Sequence, residues 1–182
     1  MHPLTALLGR HCWLALVLVL PLALAGCAVG PEPASVTLYL IRHAETVPAD
    51  VNPDRPLNEL GQQRARWLAA YFSSRELSVI YSTPITRTLQ TVSDITRNKR
   101  LDVATYDPRA LAELAEQLRL ADEPTLVAGH SNTTPALLNL LLREERYEQL
   151  DDAEHSLIFV VTVAAGDVTD VRVDRSQSPP ST

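Results

Sequence analysis

Val36 to Ile41 is an unbroken run of apolar and β-branched residues, the pattern of a strand buried on both faces. The period then changes. Leu60, Trp67, Leu68, Tyr71 and Phe72 recur at helical spacing, with Asn58 in position to cap the helix start. Ser78 to Tyr81 reads as a second, short strand. Thr83-Pro84 reads as an N-cap with proline at the first helical position, and Ile85, Leu89, Val92 and Ile95 carry that helix on. Val103 to Tyr106 is a third strand, and Leu111, Leu114, Ala115 and Leu118 mark a third helix. Thr125 to Ala128 is another buried strand, and Thr134-Pro135 repeats the cap-and-proline signal before Ala136 to Leu142. Leu157 to Val163 and Val168 to Val173 flank the turn Ala164-Ala165-Gly166-Asp167, which predicts a hairpin. Strands separated by helices imply parallel crossovers, and the hairpin adds an antiparallel pair. The expected fold is α/β: a three-layer α/β/α sandwich with a mixed, mostly parallel sheet over residues 35–174.

The ends of the chain break this pattern. After Arg10, an apolar run of 12 residues extends from Trp13 to Leu24, interrupted only by Pro21. That is too short to span a bilayer and fits the apolar region of a secretory signal. It ends in Leu24-Ala25-Gly26-Cys27, small residues before a cysteine. This resembles the bacterial lipobox, in which the cysteine is lipidated and becomes the first residue. The resemblance implies a signal peptide over residues 1–26 and a lipid anchor on Cys27. Residues 27–34 then form a tether. Acyl chains would provide membrane attachment without a transmembrane helix. Ala28 stands where aspartate would favour the inner membrane, which points to a periplasm-facing lipoprotein of the outer membrane. Residues 175–182 are rich in Ser and Pro and read as a frayed tail.

Composition narrows the classes further. The chain is 46% hydrophobic and 21% charged, so global disorder is excluded. Its formal net charge is −6, and the first 26 residues hold one arginine and no acid. The acidic excess therefore lies in the folded part, which argues against a nucleic-acid binder working by phosphate neutralisation. Cys12 and Cys27 are the only cysteines, too few for a disulfide framework or a thiolate zinc site.

In open α/β sheets, ligands collect beyond the carboxyl ends of the strands. Three polar groups fall there: Arg42-His43, Ser82-Thr83 with Arg87 close behind, and Gly129-His130-Ser131-Asn132. Two arginines, two histidines and two helix N-termini on one rim would make a cationic pocket in an acidic protein. Guanidinium forks and free N–H donors match a phosphate. A phosphate monoester or phosphoanhydride is the natural guest.

These residues resemble the histidine phosphatase (phosphoglycerate mutase-like) superfamily. Ile41-Arg42-His43-Ala44-Glu45-Thr46 is similar to its Arg-His-Gly-Glu-Thr signature, with Ala44 where glycine is usual. Leu57 to Gly61, followed by Gln62 and Ala65, is similar to its Leu-Thr-x-x-Gly-x-x-Gln-Ala stretch. Tyr81 to Pro84 with Arg87 to Thr91 resembles the second-arginine motif, and Ala128 to Asn132 the second-histidine motif. The four occur in order over roughly residues 36–163. The resemblance implies a metal-independent phosphatase without a cofactor. His43 would attack phosphorus to give a phosphohistidine. Arg42, Arg87 and His130 would bind the phosphoryl oxygens, and water would finish the reaction. The substrate would be a phosphorylated small molecule or an envelope glycan phosphate.

Three possibilities stay open for the general acid. Asp107 lies in the interval where the family supplies one, Glu45 sits beside the nucleophile, or no dedicated acid exists. Ser131 follows His130 where some members place an aspartate. Gly129 to Thr133 lacks the Gly-x-Ser-x-Gly elbow of a serine hydrolase, and Asn132, Thr133 and Thr134 read as turn or capping residues. His155, among Asp151, Asp152 and Glu154, reads as a surface or loop histidine. Two readings compete with the phosphatase. One is a catalytically inactive phosphate-binding lipoprotein serving as an interaction or sensing module. The other is a metallohydrolase using His43, Glu45, His130 and His155, which leaves both arginines unexplained.

Overall fold

The computed structural model describes residues 34–177. The signal segment, Cys27 and all of the tether except Ala34 lie outside the described residues, as do residues 178–182 of the tail. Ten elements follow in order: β1 (Ser35–Arg42), α1 (Glu59–Ser73), β2 (Val79–Ser82), α2 (Thr86–Lys99), β3 (Val103–Thr105), α3 (Leu111–Arg119), β4 (Thr125–Gly129), α4 (Thr133–Leu142), β5 (Leu157–Ala164) and β6 (Asp167–Arg175). The sheet order is β3-β2-β4-β1-β5-β6. β3, β2, β4 and β1 are parallel; β5 runs antiparallel to β1, and β6 to β5. This is the mixed, mostly parallel sheet expected from the alternating pattern.

The apolar run of β1 is continuous because both faces of the strand are covered. Leu38 and Leu40 pack with Leu114 and Leu118 of α3 and Leu137 and Leu141 of α4. Tyr39 and Ile41 pack on the other side with Leu68 and Phe72 of α1 and Val92 and Ile95 of α2. Alternate side chains of a strand point to opposite faces, so one strand serves two cores. Among the described residues no helix is long and apolar enough to cross a membrane.

Local chemistry accounts for most element ends. Asn58 caps α1 by accepting from the Gly61 N–H at 2.9 Å. Ala165 and Gly166 both have positive φ, 53° and 84°, which makes the β5–β6 connection a tight two-residue turn matched to the strand twist.

Three expectations need correction. Thr83-Pro84 does not start α2: the helix begins at Thr86 after Ile85, with no side-chain cap, because the Thr83 hydroxyl is engaged in the site described below. Thr134-Pro135 lies inside the first turn of α4, which begins at Thr133, and Thr134 Oγ1 donates instead to the Ile41 carbonyl at 3.1 Å. The domain also continues past residue 174. Arg175 still pairs with Leu157, and the buried Ser176 donates its N–H to the Ser156 carbonyl at 2.7 Å.

Candidate active site

β1, β2 and β4 end level with one another: Arg42 pairs with Gly129, and Ser82 with Ala128. The residues that leave the sheet next are His43, Thr83 and His130, all buried. His43 and His130 meet at a cavity of about 530 Å³, and Thr83 stands behind His130. Arg42, His43, Arg87 and His130 line it together, so the segments Arg42-His43, Arg87 and Gly129-His130 do converge. Arg55, Arg109, Asp152 and His155 complete much of its wall.

Each imidazole is held in one tautomer by its partners. His43 Nδ1 lies 2.8 Å from the Ala44 carbonyl, which can only accept, so Nδ1 carries the proton and Nε2 keeps a lone pair. Burial, together with the nearby Arg87, Arg42 and His130, pushes the His43 pKa down to about 3, so the ring is neutral across ordinary pH. His130 is fixed through a hydroxyl chain. Arg87 Nη2 points at His130 Nδ1 from 3.5 Å, which makes Nδ1 the acceptor. His130 Nε2–H then donates to Thr83 Oγ1 at 3.0 Å, and Thr83 donates to Thr88 at 2.7 Å. Thr88 in turn donates to the Ile85 carbonyl at 2.8 Å. Burial, Arg87 and Arg42 lower the His130 pKa to about 4.

The guanidinium of Arg42 is gripped by main chain. Its Nη1 donates to the carbonyls of Asp151 (2.7 Å) and Glu154 (3.0 Å). These acceptors carry no formal charge, and the carboxylate that faces the guanidinium is the exposed Asp152, 4.0 Å away. The Nε atoms of Arg42, Arg87 and, away from this cavity, Arg119 are buried with no partner among the described residues. A buried donor without a partner is a costly feature unless something else fills it. Arg42 and Arg87 both line the cavity, and two guanidiniums there fit an anion with several oxygens. The loop that grips Arg42 is itself organised by the buried Asn139 of α4, whose side chain bonds the main chain of Arg146 and Tyr147.

Glu45 is committed elsewhere. Arg64 of α1 meets it with Nε to Oε2 at 2.8 Å and Nη2 to Oε1 at 2.5 Å. Burial alone would raise its pKa, but the Arg64 guanidinium outweighs that and holds the carboxyl below its usual range. A carboxylate locked in this way is a poor proton donor. Asp107 is no better placed. Its carboxylate folds back on Arg109, at 2.8 to 3.2 Å, which lowers its pKa to about 2. Arg109, rather than Asp107, reaches the cavity wall. Asp152 is the carboxyl on that wall; it is 97% exposed and 4.0 Å from Arg42.

Ala44, at the usual glycine position, is fully buried, has no positive φ, and donates its N–H to Thr91 Oγ1 at 2.9 Å. Alanine therefore fits without strain. Ser131 offers its carbonyl to Leu150 N–H, Asn132 makes no side-chain cap, and Thr133 Oγ1 accepts from His130 N–H at 2.9 Å. His155 lies in the loop before β5, as one of the two expected placements has it, but not on the surface. It is half-buried, its Nδ1 lies 2.8 Å from the His43 carbonyl, and its ring centroid is 5.5 Å from that of His43. Arg64 and His155 had no local signal in the sequence, since their partners lie 19 and 112 residues away. Among the described residues, no group of three or more His, Cys, Asp or Glu is placed to hold a metal ion.

Residues 38–117 match the histidine phosphatase superfamily (branch 1). Phosphoserine phosphatase 1 of Hydrogenobacter thermophilus is 39% identical over 80 residues, covering 40% of this chain and 36% of that protein. The match therefore spans little more than a third of that relative's length. The fold is similar to the mycobacterial glucosyl-3-phosphoglycerate phosphatase (TM-score 0.62, 16% identity, 80% of this chain and 100% of that one). It is also similar to a phosphohistidine phosphatase SixA from Nakamurella multipartitia (TM-score 0.58, 22% identity, 82% and 100%). The second histidine segment, at Gly129-His130, lies beyond the matched residues and is brought to the first by the pairing of β4 with β1. Residues 38–117 are thus similar to the histidine phosphatase superfamily, and the fold of most of the chain is similar to those solved structures.

Proposed function

We propose that this domain is a phosphatase that works through a phosphohistidine on His43. The observation that carries the reading is the neutral His43 ring, pinned at Nδ1 by the Ala44 carbonyl and lining one cavity with Arg42 and Arg87. Nε2 attacks phosphorus in line, the P–O bond to the leaving group breaks, and the phosphoryl group passes to nitrogen. Arg42 and Arg87 bind the equatorial oxygens as their charge develops, and His130 joins them when Arg87 turns from its Nδ1 to the phosphoryl group and that nitrogen takes a proton. Water then displaces His43 and releases phosphate. The arginines supply the electrostatic stabilisation that a metal ion supplies elsewhere, so the reading is of a metal-independent hydrolase.

Substrate choice follows from the proton inventory. Glu45 and Asp107 are both held as carboxylates by arginines. The reaction therefore favours phosphoryl groups on leaving groups that depart without a strong acid, such as aryl phosphates, anhydrides or phosphoramidates. Among the similar structures are phosphatases named for phosphohistidine and for phosphoserine, the latter in complex with phosphoserine. A phosphorylated small molecule or envelope phosphate is the substrate class proposed here. Residues 13–27 support a lipid anchor on Cys27 and an envelope location. An intact mass of the mature chain showing an unmodified Cys27, or none, would overturn the anchor.

The test of the activity is phosphate release from an aryl phosphate by the full chain in detergent, with EDTA present and His43→Ala as control. Turnover that survives EDTA and disappears in the control is expected. A folded protein that binds phosphate without turnover would instead support the inactive binding-module reading.

A further inference from the structure

His155 has no role in the mechanism above, yet it lines the same cavity as His43, Arg42, Arg87 and His130. Its ring stands as close to His43 as that of His130 does, 5.5 Å between centroids in both cases. His43 is thus flanked by two imidazoles. The contact of His155 Nδ1 with the His43 carbonyl fixes its proton on Nδ1. That leaves Nε2, with its lone pair, as the edge without a hydrogen bond among the described residues. A lone pair cannot face a phosphate oxygen favourably unless a proton comes between them.

We propose that His155 is a third phosphoryl-contacting residue, whose Nε2 takes up one proton as the anion enters and donates it to a phosphoryl oxygen. The inference rests on the phosphatase reading and adds a residue to it. The proton is balanced simply: an O–H bond of the phosphate monoanion breaks, an N–H bond forms at Nε2, and the pair becomes imidazolium and dianion. The charged and titratable groups facing His155 are Arg42 and His43 at the end of β1, Glu45 just beyond, Arg64 from α1 and Asp152 on the cavity wall. Arg64 and Glu45 neutralise each other. Burial is the main cause that lowers the His155 pKa, and Arg42 adds to it. An incoming dianion reverses that balance because its two negative charges face Arg42 and His155 together.

The experiment uses the full-length chain with 15N-labelled histidine, titrated with inorganic phosphate near neutral pH. Without phosphate, His155 is expected to show the neutral Nδ1–H pattern. At saturation it is expected to show both nitrogens protonated. His155→Asn keeps a side-chain N–H for the His43 carbonyl but removes Nε2. It is expected to weaken phosphate binding and raise KM about tenfold, the scale of a charge-assisted hydrogen bond, and to lower kcat less. A His155 that stays neutral while His43 and His130 respond to phosphate would overturn this proposal alone. So would a His155→Asn protein that binds phosphate as tightly as the wild type. No response at any of the three histidines would overturn the phosphatase reading with it.

Discussion

Replacing His43 with asparagine is expected to flatten the acid limb of the protein's stability curve. The native ring stays neutral down to about pH 3, while an unfolded histidine protonates near 6.5. Between those values the unfolded state binds one more proton than the native state, so stability present above pH 6.5 is lost as the pH falls. A full proton difference gives about 1.4 kcal/mol per pH unit. The ring is 5% exposed but opens on a water-accessible cavity, so about half of that slope is the more realistic value. From about pH 6 to about pH 4, His43 then contributes roughly 1–2 kcal/mol of acid destabilisation. Asparagine removes this contribution while leaving His130 and the carboxylates as they are. Urea denaturation of both proteins across that range gives the two slopes directly. Any constant offset between them is irrelevant, since the mutation also changes packing. Parallel curves would mean that the native His43 titrates normally, and the argument for a permanently neutral nucleophile would fall.

Gly61→Ala is expected to destabilise the domain by about 2–3 kcal/mol in the same assay, because a Cβ there would sit 2.0 Å from the Glu45 carbonyl oxygen and both partners are backbone. Thr83→Val keeps the shape but removes the acceptor for His130 Nε2–H, so a loss of about 1–3 kcal/mol and weaker phosphate binding, read by calorimetry, are expected. Asp107→Asn is expected to change turnover of aryl and alkyl phosphates by less than about twofold; a large, selective loss on the alkyl ester would restore it as the acid.

The strands and their order of use were legible because burial on two faces writes itself as an unbroken apolar run, as in β1 and β4. The Asn58 cap and the β5–β6 turn were legible because their chemistry is local. Thr83 and Thr134 were misread for a related reason. A hydroxyl before a proline looks the same in sequence whether it bonds its own helix or, as here, His130 and the Ile41 carbonyl. Site residues drawn from recurring motifs, such as His43 and His130, came together at one cavity. His155 did not announce itself because its acidic neighbours Asp151, Asp152 and Glu154 suggest a solvated loop. Two of those residues in fact turn their carbonyls inward to Arg42. Arg64 was equally silent, since one arginine in a polar helix carries no mark of the carboxylate it will meet.

The grip on Arg42 has a consequence for how such a site can diverge. Its anchors are the carbonyls of residues 151 and 154, and any amino acid supplies a carbonyl. The side chains at those two positions act on the arginine only through the loop, where Asp151 accepts from Ala153 N–H and Glu154 from Ser156 N–H. Aligned relatives would show an unvarying arginine with no co-varying partner. What selection must preserve is the path of the loop, held by Asn139 from outside and by the side chains of Asp151 and Glu154 from within, rather than a charge aimed at the arginine.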